Sequence, residues 1–187
     1  MKKVLIGVGI ALFFGLSVGM FINQPKRISN RINDENFDKI MDQDFNYDYP
    51  ETYVDVVTKF LDIEKLMFNQ DYKGKRAERK EEMVLKALEL WDDQLISQNG
   101  GIEKVTVDYL SDIDKFQEGK YKIMDYEYQA SPQKSVDNDG NLVMAVNVIE
   151  YISIGDNAYK MFLLRKDDNK NWKICGITKI EPFKIAK

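Results

Sequence analysis

The sequence contains no histidine, one cysteine (Cys175) and four prolines among 187 residues. Without an imidazole base, the serine and cysteine triads that depend on one are excluded. Zinc loses its commonest ligand, and a single cysteine cannot replace it. One cysteine also cannot close an intrachain disulfide. Cys175 lies in a β-prone run and is expected to be a buried small hydrophobe; the sharper alternative is a thiol that pairs with another chain. An excess of positive charge is missing too. The 27 basic and 31 acidic residues give a net charge of −4, and residues 1–22 contribute two lysines and no acid. The chain beyond residue 22 is therefore acidic, which disfavours a phosphate-backbone partner such as nucleic acid. No cofactor motif and no metal-ligand spacing occurs. The acidic stretch Asp137-Asn138-Asp139-Gly140 lacks the spacing of a calcium loop.

What the chain does have is a charge-free run from Val4 to Pro25. Its apolar part, residues 4–22, is about as long as a helix needs to be to cross roughly 30 Å of hydrocarbon. This predicts residues 1–3 as a cytoplasmic tail, 4–22 as a transmembrane anchor, 23–49 as a polar tether and 50–187 as a folded domain. Lys2 and Lys3 flank the run on one side, and Lys26, Arg27 and Arg31 on the other, so the charge bias is nearly balanced. The expected orientation puts the N-terminus in the cytoplasm and the domain outside. The competing reading is a signal peptide cleaved near Ser17-Val18-Gly19, with a secreted product. Gly7, Ala11, Gly15 and Gly19 recur every four residues. On a helix they form a small-residue stripe suited to close packing against a partner helix or a second copy. Such residues are also simply common in membrane spans.

From Pro50 the spacing becomes helical. Tyr53, Val56, Val57, Phe60, Leu61, Ile63, Leu66 and Met67 define an apolar face. A second helix is expected from about Arg76 through Leu95, carrying Met83, Val84, Ala87, Leu88 and Trp91, and stopped by Asn99-Gly100-Gly101. A third runs from Ile102 to Glu118. In the tether, Asn33 caps a short helix bearing Phe37, Ile40 and Met41. After Gly119 the period changes to two. Four strands are expected, near 123–130, 142–154, 158–166 and 172–180, joined by short turns. Connections this short make the meander antiparallel. The expected fold is therefore α+β: an N-terminal transmembrane helix, then three helices packed on a curved, cone-like four-stranded antiparallel sheet.

In element order, the span from about Pro50 to Phe183 resembles the nuclear-transport-factor-2-like superfamily. The residues that carry the likeness are Tyr53–Met67, the Trp91-bearing helix and the last strand Trp172-Lys173-Ile174-Cys175-Gly176-Ile177. Tyr49-Pro50-Glu51-Thr52 ahead of the first helix is similar to small membrane-anchored proteins of Gram-positive bacteria. A second likeness is to bitopic scaffold subunits of type IV secretion and conjugation machines. The resemblance implies a cone used for protein contacts or, in enzymatic relatives, for a small apolar ligand. The dehydratases and cyclases of the superfamily tend to use histidine, which is absent here, and no catalytic residue carries over.

The candidate ligand-pocket residues are Tyr126, Tyr128 and Glu150. Glu150 interrupts an apolar strand. If it points inward, burial raises its pKa, as in a general base; otherwise a bulge exposes it or a Lys or Arg pairs with it. The expected function is a membrane-anchored, extracytoplasmic interaction module without catalytic activity. The alternatives are a small apolar ligand-binding or isomerase-like pocket, and a scaffold subunit of a type IV secretion or conjugation apparatus.

Overall fold

The computed structural model describes residues 26–28, 34–72, 79–137 and 140–185. Among these, five strands form one antiparallel sheet in the order β1-β2-β3-β4-β5: Lys26–Ile28, Ile123–Val136, Leu142–Ile152, Ala158–Lys166 and Trp172–Lys179. Five helices precede the last four strands: α1 (Asp34–Met41), α2 (Tyr53–Asn69), α3 (Lys80–Leu88), α4 (Asp93–Gln98) and α5 (Ile102–Glu118).

The start of α2 is set locally. The Thr52 hydroxyl accepts from the Asp55 backbone N–H at 3.1 Å, and the Asp55 carboxylate accepts from the Thr52 N–H at 3.2 Å. This reciprocal cap satisfies two of the donors that a helix N-terminus leaves open. The three-and-four spacing of apolar residues then turns Val56, Val57, Phe60, Leu61, Leu66 and Met67 onto the sheet and the neighbouring helices, where all are buried. Edge-on aromatic pairs tie α2 outward: Phe60 to Phe162 of β4, Tyr53 to Trp172 of β5 and Phe68 to Phe116 of α5, with ring centres 5.6, 5.5 and 5.1 Å apart.

Strand β3 is central and apolar on both faces. Val146 and Val148 join Tyr126, Phe162, Leu164 and Ile174 in the main core under the helices. Val143 and Ala145 join Leu163 in a second, smaller cluster that includes Met161 and Cys175. Alternation of side chains along the strand requires this division. The ladder is broken by bulges that bend the sheet. One extra residue stands at Met124, another at Cys175, and β2 is irregular between Ala130 and Lys134. Cys175 is half-buried, and burial pushes its thiol up to about 11.

The structure corrects the expected fold in four respects. The sheet has five strands, because β1 pairs with β2 at Lys26↔Tyr128 and Ile28↔Tyr126. Among the described residues there are five helices: the short helix expected in the tether is α1, and the expected second helix is two. The expected second helix breaks after Leu88, where the backbone of 90–92 turns aside to bond β5: the Asp92 N–H donates to the Ile174 carbonyl and the Ile174 N–H to the Leu90 carbonyl, both at 2.9 Å. Asp92 then caps α4 through the Gln94 N–H. Next, the segment read as a tether belongs to the body, since Phe37 and Phe45 are buried in the main core. Finally, no helix among the described residues is long and apolar enough to cross a membrane. The apolar run 4–22, with Gly7, Ala11, Gly15 and Gly19, lies outside the described residues.

Arg165 of β4 locks the α3–α4 junction to the β2–β3 turn. Its guanidinium grips Asp92 through two bonds of 2.7 and 2.9 Å and reaches Asp137 at 3.0 Å.

Phe37 tests the integration of the segment before Pro50. A tether would tolerate Phe37→Ala, whereas emptying a fully buried phenyl site is expected to lower stability by about 3–5 kcal/mol, read from the urea midpoint of the folded chain.

Candidate functional site

Four side chains from α2, β2, β3 and β4 meet between the helix layer and the sheet. Glu64 lies on the inner face of α2, one turn after Phe60, and is buried. Tyr126 and Glu150 are direct cross-strand partners on β2 and β3. Lys160 stands opposite Val148 on β4. It shares the alternation of Phe162 and Leu164, which puts it on the core side.

The lysine ammonium sits between two carboxylates. It donates to Glu64 Oε1 at 2.9 Å and lies 2.5 Å from Glu150 Oε2. The second contact is an ion pair whose angles fall outside hydrogen-bond geometry, so Oε2 accepts no well-formed bond. The Tyr126 hydroxyl donates to the other Glu64 oxygen at 3.3 Å. Tyr126 is fully buried, and Glu150 is 4% exposed.

Two acids and one base in a sealed space leave one negative charge in excess if all are ionised. Burial, reinforced by the Glu64 charge and opposed by Lys160, pushes the Glu150 carboxyl up to about 7. Burial acts on Lys160 in the other direction, but the two carboxylates outweigh it and hold the ammonium protonated above its ordinary range. Burial and then the Glu64 and Glu150 charges hold the Tyr126 phenol well above its usual value. Tyr109 on α5 feels the same pair and shifts in the same direction, mainly through burial. The cluster thus stores a proton on Glu150 near neutral pH and keeps both tyrosines un-ionised.

Two of the three expected pocket residues therefore come together. Tyr128 does not join them: it is half-buried against the main core opposite Val148, one pleat away. Sequence reasoning misses Glu64 and Lys160. Both carry a signal in the spacing, since Glu64 falls in register on the apolar face of α2 and Lys160 shares parity with Phe162 and Leu164. Two open grooves lie elsewhere. One, of about 860 Å³, is lined by Phe45, Tyr47, Lys86, Asp167, Asn171 and Lys173 among others; a smaller one, of about 360 Å³, runs past Tyr49, Asp55 and Lys59. Neither is lined by Tyr126, Tyr128 or Glu150. Among the described residues, no three His, Cys, Asp or Glu side chains gather to hold a metal.

The fold and the site define a small α+β protein with helices on one face of an antiparallel sheet and a buried carboxylate–lysine–carboxylate cluster between the layers. The chain belongs to the family described as a domain of unknown function, DUF6715, which matches residues 1–177. No curated protein and no solved structure matches it.

The cluster predicts a specific pH dependence. Between the ordinary glutamate value of 4.5 and about 7, the folded chain holds a proton that the unfolded chain has released. Stability should therefore fall as pH rises through that window. Glu150→Gln is expected to remove this slope in urea titrations run at about pH 5 and about pH 8. Lys160→Met leaves two buried carboxylates without their cation and is expected to cost about 3–5 kcal/mol. Adding Glu64→Gln and Glu150→Gln to that variant should restore part of the loss.

Proposed function

We propose that this protein is a membrane-anchored interaction module without catalytic activity, held by residues 4–22 and presenting its folded body on the extracytoplasmic side. The observation that carries the interaction role is a group of three exposed apolar side chains among polar neighbours at one end of the sheet. The Lys122 N–H donates to Ser153 Oγ and the Ser153 N–H to the Lys122 carbonyl, both at 2.9 Å, which sets Tyr121 beside Ile154. Met124, the extra residue of its bulge, lies at the same end. All three side chains are exposed. Exposed apolar side chains grouped at one tip are what a protein partner or a second copy buries. The match of one family to both the apolar run and the body supports reading them as one unit.

The absence of catalysis is supported by the enclosure of the acid–phenol cluster between the layers. Glu150 is held by Lys160, the Tyr126 hydroxyl is spent on Glu64, and both are sealed from solvent. The likeness to the nuclear-transport-factor-2-like superfamily belongs to this reading as a module for protein contacts. A scaffold subunit of a type IV secretion or conjugation apparatus is the same reading with a named partner class. An isomerase-like pocket is the second reading, favoured by one observation: a carboxyl held near neutrality beside a tyrosine.

Crosslinking and pull-down of the full-length protein from isolated membranes separates these. The wild type is expected to sediment with membranes and to retain a crosslinked protein. Met124→Asp with Ile154→Asp should lose that product while leaving membrane association unchanged. Recovery of the chain in the soluble fraction, or an undiminished crosslink in the double variant, would overturn the proposal.

A further inference from the structure

Residues 44–49, Asp-Phe-Asn-Tyr-Asp-Tyr, alternate polar and aromatic side chains. Two of the three rings are anchored. Phe45 is buried in the main core, and the Tyr49 hydroxyl donates to the Trp172 carbonyl at 2.8 Å. Tyr47, between them, is 91% exposed. The turn that carries it is closed by Asp44. The Asp44 carboxylate accepts from the Asn46 backbone N–H at 2.8 Å and from the Asn46 amide at 2.9 Å. The Asp44 carbonyl accepts from the Tyr47 and Asp48 N–H groups at 3.1 and 2.9 Å. A ring displayed from so fixed a backbone loses little freedom when a ligand packs on it.

Tyr47 borders the open groove of about 860 Å³, which the turn between β4 and β5 also lines through Asp167, Asn169 and Asn171. That turn is equally fixed. The Asp167 N–H donates to the Asn171 carbonyl at 2.9 Å, and the Asn171 N–H to the Asp167 carboxylate at 2.8 Å. Among the described residues, none hydrogen-bonds the Tyr47 hydroxyl or the Asn169 and Asn171 side-chain amides. Lys86 and Lys173 line the groove too, with their ammonium groups 4.6 Å from the centre of the Phe45 ring and 4.5 Å from that of Tyr49. Lys86 pairs with Glu89 at 3.3 Å, and Lys173 donates to the Glu89 carbonyl at 2.7 Å.

This lining selects among ligand classes. Asp42, Asp44, Glu89 and Asp167 outnumber the two lysines, so a phosphate or carboxylate ligand is repelled. An apolar ligand finds little matching surface, because its sites are predominantly hydrophobic. A polycation would meet the two ammonium groups already seated in the groove. A neutral polyhydroxy ligand meets none of these obstacles. Each of its hydroxyls can donate to a carboxylate and accept from an amide or an ammonium. The apolar C–H face of a sugar ring can lie flat on Tyr47. The groove falls within the roughly 300–1,000 Å³ of small-molecule sites, and its openness suits a chain of a few rings.

We propose that the groove between Tyr47 and the 167–171 turn is a binding site for a neutral oligosaccharide, with Tyr47 stacking on one ring and Asn169 and Asn171 hydrogen-bonding its hydroxyls. The site shares no residue with the end bearing Tyr121, Met124 and Ile154, and it does not depend on membrane attachment.

The probes are cellohexaose, chitohexaose and maltohexaose, titrated calorimetrically into the full-length chain in a detergent without a sugar headgroup. At least one is expected to bind saturably, with an affinity that added salt leaves unchanged because the ligand carries no charge. Tyr47→Ala should weaken that binding about tenfold, and Tyr47→Phe should retain it. Asn169→Ala combined with Asn171→Ala should weaken it as well. The urea midpoint of Tyr47→Ala should stay at the wild-type value, because the ring is exposed. No saturation with any of the three saccharides at millimolar concentration overturns the proposal. So does binding of hexalysine in their place, or saccharide binding that the alanine variants leave intact, which would put the sugar elsewhere on the chain.

Discussion

One lysine ammonium fixes the register between the two layers of this protein. Lys160 projects from the sheet into the core and meets Glu64 from α2 and Glu150 from the neighbouring strand. Each carboxylate alone would make the interface unstable, because removing an ion from water costs several kcal/mol that only a well-placed counter-ion offsets. The cluster therefore works as a register pin more than as a source of stability. Only one rotation of α2 about its axis, and one alignment of β3 against β4, puts both carboxylates within reach of the same nitrogen. Slipping β4 by one residue would send Lys160 to the opposite face and leave Glu64 and Glu150 facing each other.

A chemical reading of the same cluster is weaker than a structural one. A carboxyl near neutrality beside a phenol is the combination that isomerases use. Here the phenol already donates to Glu64 and the acid already has its cation. Both are closed off by the residues that make the core. A buried charge pair that perturbs ionisation marks functional sites only in part, since structural ion networks do the same. The exposed chemistry lies in the groove bordered by Tyr47 and at the end of the sheet bearing Tyr121, Met124 and Ile154.

The segment before Pro50 changes how the molecule relates to its surroundings. A polar tether of the expected length would let the body wander. With β1 joined to the sheet and Phe37 in the core, the folded body begins within a few residues of the apolar run. The pattern shows the short helix bearing Phe37, Ile40 and Met41, but not that its apolar face packs into the body, because the partners of Phe37 and Phe45 lie far along the chain. Periodicity detects a buried face only when apolar residues recur, and a three-residue edge strand has too few residues to show a period.

Local chemistry carried much of the signal, although the Thr52–Asp55 cap and the bulge at Met124 were not read from it. The Thr52–Asp55 cap and the apolar face of α2 are written in neighbouring residues, as are the turns at Asp137–Asn141 and Asp167–Asn171 and the two-faced character of β3. Each depends on interactions within a few positions. The break between α3 and α4 was not legible, because a continuous helical pattern gave way to hydrogen bonds from Ile174, more than eighty residues on. The pairing of Glu150 with Lys160 and Glu64 was equally hidden. Of these three charges the sequence singled out Glu150 alone; Glu64 and Lys160 carried only a parity signal in their spacing, and nothing local said that the three faces met. The sequence by itself determined the α2 and α5 helices, the last four strands and their order, the absence of imidazole chemistry and the apolar run 4–22. The tertiary structure alone decided which charges would share the core, because electrostatic partnership depends on distance in space and not on separation along the chain.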